Sequence, residues 1–183
     1  MAVARRQFTV TEYQRMADTG ILHEDDRVEL IDGEIFEMSP LGSRHVACVN
    51  RLVANVSSQV GQTVIVSVQN PIQLTDYSQP QPDLALLRRQ PDFYAEALPT
   101  ALDVFLLIEV ADTSLAYDRD VKVPRYAETN IPEVWLVNVE DETVLVYTQP
   151  NVTGYRMVQQ FQAGQVIRAT TIVNLEVEVD DIF

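Results

Sequence analysis

Apolar residues recur along this chain with two periods, and the switches between them outline the elements. From Ser43 to about Gln59, the residues Val46, Val49, Leu52, Val53, Val56 and Val60 follow one another at three- and four-residue spacing, the signature of one helical face. Ser43 is a fitting N-cap for that helix. A shorter helix is predicted near the N-terminus, where Thr9 and Thr11 precede Glu12, and Tyr13, Met16 and Ala17 keep helical spacing up to about Gly20. Residues 27–31 and 34–38 are strand-like and flank Asp32-Gly33, a two-residue turn of the hairpin type. The β-branched run 63–68 reads as a strand, turned by Asn70-Pro71 and extended by Ile72-Gln73-Leu74.

The second half reads mostly as sheet. Gln79-Pro80-Gln81-Pro82 cannot be the middle of a paired strand, because each proline lacks a backbone donor. Residues 83–87 directly behind it are apolar enough for a buried strand, with Asp83 at its mouth, and 88–99 is expected as a loop. Residues 104–108 form the most continuous apolar run and predict the central strand of a sheet covered on both faces, ended by Glu109. A helix over about 117–128 follows, its first turns irregular because of Pro124, and Asn130-Ile131-Pro132 stops it. Strands over 133–138, 143–147, 155–161 and 165–167 predict a meander before a final acidic segment with Asp180-Asp181, read as a solvated tail. With no repeat, low-complexity tract or linker, the expectation is one α/β domain over residues 1–183: a mixed sheet flanked by helices, with an N-terminal hairpin and a C-terminal meander.

Composition narrows the setting. A length of 183 residues with 46% hydrophobic residues is enough to bury a core without disulfides or a structural metal. The single cysteine, Cys48, excludes an intramolecular disulfide or a multi-cysteine metal site and reads as a small buried hydrophobe. No apolar run follows Arg5 and Arg6 as a signal peptide would require, and none approaches the length of a membrane span, so a cytoplasmic protein without membrane contact is expected. The net charge of -14 repels a phosphate backbone by default. Only Arg88-Arg89 and Arg44 with Arg51 form small basic clusters.

One constellation carries chemistry. Asp83 opens one strand and Glu109 closes the next, and two carboxylates at neighbouring strand ends, with the Val110 carbonyl beside them, make a partial shell for hard Mg²⁺. Such an ion neutralises charge on a phosphodiester and acidifies a bound water. Lys122, four residues after Asp118 on the same helical face, could stabilise the developing charge. Glu29, at the start of a hairpin strand, and His45, at the start of the long helix, could point into the same cleft. Ser114 lacks a nearby histidine and a nucleophile elbow, which excludes a serine hydrolase reading.

Pro82-Asp83 followed by Glu109-Val110-Ala111 resembles the PD-(D/E)XK nuclease superfamily, with Ala111 where the motif places its lysine. Blocks in order along the chain resemble the Uma-type family of restriction-endonuclease-like bacterial proteins. They are Val28-Glu29-Leu30-Ile31-Asp32-Gly33-Glu34, Arg44-His45, Gln81-Pro82-Asp83, Ile108-Glu109-Val110-Ala111-Asp112-Thr113-Ser114, Asp118-Arg119-Asp120-Val121-Lys122, Tyr126-Ala127 and Ile131-Pro132-Glu133-Val134-Trp135. The resemblance implies a restriction-endonuclease-like fold, Mg²⁺ (or Mn²⁺) use and a DNA substrate. It places Asp83 and Glu109 as metal ligands and catalytic carboxylates, Lys122 as the displaced catalytic lysine, and Glu29, His45 and Asp118 around them. The alternative is a nuclease-fold binding or assembly module without turnover, such as a homodimer, suggested by Ala111 and the acidic charge.

Overall fold

The computed structural model describes residues 4–23 and 25–183; the domain expected over 1–183 includes positions 1–3 and 24, which lie outside them. Helix α1 (Val10–Asp18) begins where the sequence predicts. The Thr9 hydroxyl accepts from the Glu12 N–H at 3.2 Å, and the Glu12 carboxylate accepts from the Thr9 N–H at 3.0 Å, a reciprocal cap for two otherwise orphaned donors. Strands β1 (Val28–Ile31) and β2 (Glu34–Glu37) pair antiparallel across Asp32 and Gly33, at φ 52° and 77°. Two successive positive φ values define the tight turn whose twist matches a hairpin.

Helix α2 (Ser43–Ser57) buries His45, Cys48, Val49, Leu52 and Val56. Gly42, not Ser43, holds its N-cap position, and Ser43 is the first helical residue. The chain passes so close to the end of the sheet here that a Cβ on Gly42 would meet Asp112 Oδ2 at 3.0 Å.

The main sheet has six strands in the order β3 (Val64–Val68), β4 (Leu84–Arg88), β5 (Val104–Ala111), β6 (Glu133–Asn138), β7 (Thr143–Asn151), β8 (Gly154–Phe161). All neighbours are antiparallel except β5 and β6. That parallel pair needs a crossover, supplied by α3 (Leu115–Tyr117), a π-helical turn (Asp118–Lys122) and α4 (Val123–Glu128). The irregularity expected from Pro124 takes this form: a π-helical turn directly precedes α4, and the proline occupies the first turn of that helix.

Two sequence expectations shift. Residues 72–74 do not extend β3, because the Ile72 and Leu74 N–H groups donate across their own loop to the carbonyls of Pro80 and Ser78, both at 3.0 Å. The meander runs through β6, β7 and β8, after which β9 (Val166–Arg168) pairs with β10 (Glu176–Glu178) in a separate hairpin. The final acidic segment nevertheless buries Val179 and Ile182 against the core. Among the described residues, no helix is long and apolar enough to cross a membrane.

Strand alternation divides the core into two layers. Leu84, Leu86, Leu106, Ile108, Val110, Trp135 and Val137 face α2 and the C-terminal segment. Ala85, Leu87, Leu107, Ala111, Val134 and Leu136 face Val123, Tyr126 and Ile131. One carboxylate is fully buried in this frame away from the cleft. Glu133 accepts from the Trp135 indole at 2.8 Å, and from the N–H groups and hydroxyls of Thr170 and Thr171 at 2.6 to 3.2 Å. Five donors replace its hydration and pin the segment before β10 to β6. Glu133→Ala, which orphans those donors, is expected to cost on the order of 3 kcal/mol, read as a lower urea midpoint. An unchanged midpoint would show that water replaces the carboxylate freely.

Candidate active site

The site exists because β5 outruns β4. Their pairing ends with Leu84 opposite Ile108, while β5 continues beside β6 through Glu109, Val110 and Ala111. Glu109 therefore lies inside the strand rather than at its end. The Ala111 carbonyl accepts from Val139 on the β6 side at 2.9 Å, so alternation turns the Val110 backbone toward the edge that β4 leaves bare. Asp83 fills that edge: its Oδ2 accepts from the Val110 N–H at 2.8 Å.

The other Asp83 oxygen is held from two directions. Oδ1 accepts from the Gln69 amide at 3.0 Å and lies 3.0 Å from His45 Nε2, delivered by the first turn of α2. Burial pushes the Asp83 carboxyl up, but His45, Gln69 and the Val110 N–H together more than offset it and hold it below the usual carboxylate range.

Glu109 shares its face of β5 with Leu107 and Ala111 and points toward the crossover. Its Oε1 accepts from the Tyr126 hydroxyl at 2.5 Å and lies 2.8 Å from Lys122 Nζ. Lys122 reaches it from the π-helical turn, in which the Val123 N–H donates to the Asp118 carbonyl, one residue more per turn than an α-helix. The same ammonium lies 3.4 Å from Glu29 Oε2 and 4.0 Å from Asp118 Oδ1. Glu29 Oε2 also accepts from the Gln81 N–H at 3.0 Å, and Asp118 Oδ2 from the Ser114 hydroxyl at 2.5 Å.

Three carboxylates, Glu29, Glu109 and Asp118, thus gather around one buried ammonium, with Asp83 held beside them by His45. Burial pushes Glu109 up; Lys122 opposes this, while Asp118, Asp83 and Glu29 add to it, and the carboxyl rises to about 8. Burial also raises Asp118. For Lys122 burial acts downward, and Glu109, Glu29 and Asp118 overcome it, holding the ammonium charged well above the ordinary lysine range.

Glu29, His45, Asp83, Glu109, Val110, Asp118 and Lys122 all line one cavity of about 400 Å³, bordered by β2 and the segment that follows it. Sequence reasoning did not single out Gln69, Tyr117 or Tyr126 as parts of the cleft. Tyr126 lies four residues after Lys122 on one helical face, a spacing that could have drawn attention to it. Gln69 carries only a weak sign, its place beside Asn70-Pro71. The Tyr117 hydroxyl and His45 Nδ1 are buried without a hydrogen-bond partner among the described residues, and Tyr117 packs on Phe36 with ring centroids 5.2 Å apart.

Among the described residues Glu109 Oε2 takes no hydrogen bond and Asp83 Oδ2 takes one, so these oxygens, with the Val110 carbonyl on the same bare edge, are the ones a cation could share. Among the described residues, no group of three or more His, Cys, Asp or Glu side chains stands in ready ligating geometry, so an ion here would be completed by backbone and water.

The family described as "Uma2: Putative restriction endonuclease" matches residues 10–180. No curated protein matches the chain. Among solved structures, that of a "putative nuclease belonging to DUF820" from Anabaena variabilis superposes with a TM-score of 0.78 at 18% identity, covering 96% of this chain and 97% of that one. At that identity the likeness establishes the fold.

The raised Glu109 carboxyl sets a pH dependence of stability. The folded state keeps a proton that the unfolded chain releases near 4.5, so its contribution is complete below that pH and is lost as pH rises toward about 8. One proton permits a slope of at most about 1.4 kcal/mol per pH unit. In EDTA, Glu109→Gln is therefore expected to gain stability relative to wild type between pH 5 and 8, measured by urea denaturation. Parallel curves for the two proteins would contradict the raised carboxyl.

Proposed function

The chain belongs to the Uma2 family, and from that premise we propose that its cleft hydrolyses DNA phosphodiester bonds with the help of a divalent cation. The observation that carries this reading is the position of Lys122 Nζ, 2.8 Å from Glu109 Oε1, although Ala111 stands where the superfamily motif has its lysine. A cation in the middle of the crossover reaches the carboxylates that a lysine on β5 would otherwise serve.

The donor set fits Mg²⁺, and Mn²⁺ by the same chemistry. It is all oxygen, from Asp83, Glu109 and the Val110 carbonyl, and Mg²⁺ keeps several waters and needs few protein ligands. The charge fits too, since burial with three carboxylates around one ammonium leaves Glu109 short of positive charge. When bound, the ion supplies charge neutralisation at phosphorus and a more acidic water.

This chain's own residues do the positioning. Asp83 is oriented by Val110, Gln69 and His45, and Glu109 by Tyr126 and Lys122. Lys122 stays protonated, so it donates to a phosphate oxygen as negative charge develops there and helps aim the attacking water. Gln81 and Ser114 hold Glu29 and Asp118 around that ammonium.

Purified protein is expected to nick supercoiled plasmid DNA in Mg²⁺ or Mn²⁺ and to lose this in EDTA. Asp83→Ala and Lys122→Ala are each expected to lower the rate by at least about 100-fold, with circular dichroism confirming that both variants fold. Cleavage surviving both substitutions would sink the assignment of these residues. Absence of cleavage with either metal, together with a stable dimer by light scattering, would instead assign the chain to the non-hydrolytic alternative.

A further inference from the structure

A cleft that acts on a polyanion needs a cation where the substrate enters, and this one is lined by six carboxylates, from Glu29 and Glu37 on the hairpin to Asp112 and Asp118 beyond β5. Its lining holds two permanently cationic side chains, Lys122 and Arg27. Lys122 is 3% exposed and its ammonium already faces Glu109 and Glu29, so it serves the floor of the cleft.

Arg27 sits differently. It is half-buried just ahead of β1, and its Nη1 donates at 2.9 Å to the carbonyl of Ser39, in the segment that borders the cavity. Its own carbonyl accepts from the Met38 N–H at 2.7 Å, which fixes the start of the side chain. Among the described residues no carboxylate pairs with its guanidinium. That planar group carries five N–H donors and has one of them in a protein hydrogen bond.

We propose that Arg27 is the substrate-anchoring residue of this cleft, gripping one backbone phosphate of the nucleic acid beside the bond to be cut. The proposal rests on the phosphodiesterase reading for the identity of the anion. A guanidinium matches two phosphate oxygens with two parallel N–H groups. The Ser39 contact presets its direction, so little side-chain freedom is lost on binding. With one such anchor in so acidic a cleft, grip on the substrate depends on Arg27 far more than on the summed field of the protein.

The test is binding of a fluorescein-labelled twelve-nucleotide single-stranded DNA, followed by anisotropy in Ca²⁺ across a salt series, alongside plasmid nicking in Mg²⁺. Arg27→Gln is expected to weaken binding about 10-fold and to reduce the slope of log affinity against log salt by about one, the signature of one lost phosphate contact. Arg27→Lys should restore the slope and only part of the affinity. In nicking, Arg27→Gln should raise KM by a similar factor and leave kcat within about 2-fold of wild type. Equal affinity and equal slope in Arg27→Gln would overturn the proposal, as would wild type that does not bind the oligonucleotide. A loss of affinity that is the same at every salt concentration, accompanied by a lower melting temperature, would overturn it in favour of a structural role for the Ser39 contact. If wild type binds with an Arg27-dependent slope yet never nicks, the hydrolytic reading fails and the anchor stands.

Discussion

Burial of the Lys122 ammonium constrains everything around it. An unpaired charge at that depth would cost several kcal/mol, so the fold must bring it partners, and Glu109, Glu29 and Asp118 come from three separate parts of the chain. The central strand, the N-terminal hairpin and the crossover therefore meet at one nitrogen. The partners outnumber the lysine, and the surplus appears as the raised Glu109 and Asp118 carboxyls. A centre of this kind is tied tightly enough to hold its geometry and remains short of positive charge.

The second constraint is the staggered end of the sheet. Had β4 kept pace with β5, the Val110 N–H would be spent on a strand partner and Asp83 would have no backbone donor to orient it. Because β4 starts at Leu84, a side chain completes the edge instead. The proline-rich segment before it, with Pro80 and Pro82 unable to donate, keeps β4 from extending backward. His45 then reaches Asp83 from α2 on one sheet face, while Lys122 and Tyr126 reach Glu109 from the crossover on the other. The cleft lies at the sheet end where both layers have access.

Its electrostatics differ from those of a broad nucleic-acid surface. The chain carries a charge of -14, and the carboxylates crowd the cleft rather than avoid it. At long range the protein therefore repels a polyanion, and any grip must come from short-range, directional contacts such as those of a guanidinium or a bound cation.

Much of the architecture is legible in the amino-acid sequence because it is written in local period and turn chemistry. Asp32-Gly33 specifies the hairpin, the three-and-four spacing after Ser43 specifies α2, and the apolar run before Glu109 specifies the central strand. The Thr9 and Glu12 pair likewise marks the start of α1. These signals act over a few residues, within the reach of backbone sterics and side-chain periodicity. Family resemblance added the names of Asp83, Glu109 and Lys122, but which groups touch which is a long-range matter. Ser43 enters the helix and leaves the cap position to Gly42, which lies against Asp112, residues 72–74 turn inward because their donors meet Pro80 and Ser78, and β9 leaves the sheet for β10. Gln69 and the π-helical turn have no local mark strong enough to announce them, and the spacing of Tyr126 from Lys122 does not say that its hydroxyl reaches Glu109. Tertiary structure alone decided that the ammonium of Lys122 lies 2.8 Å from Glu109, since only the folded crossover carries a residue distant in sequence to that carboxylate.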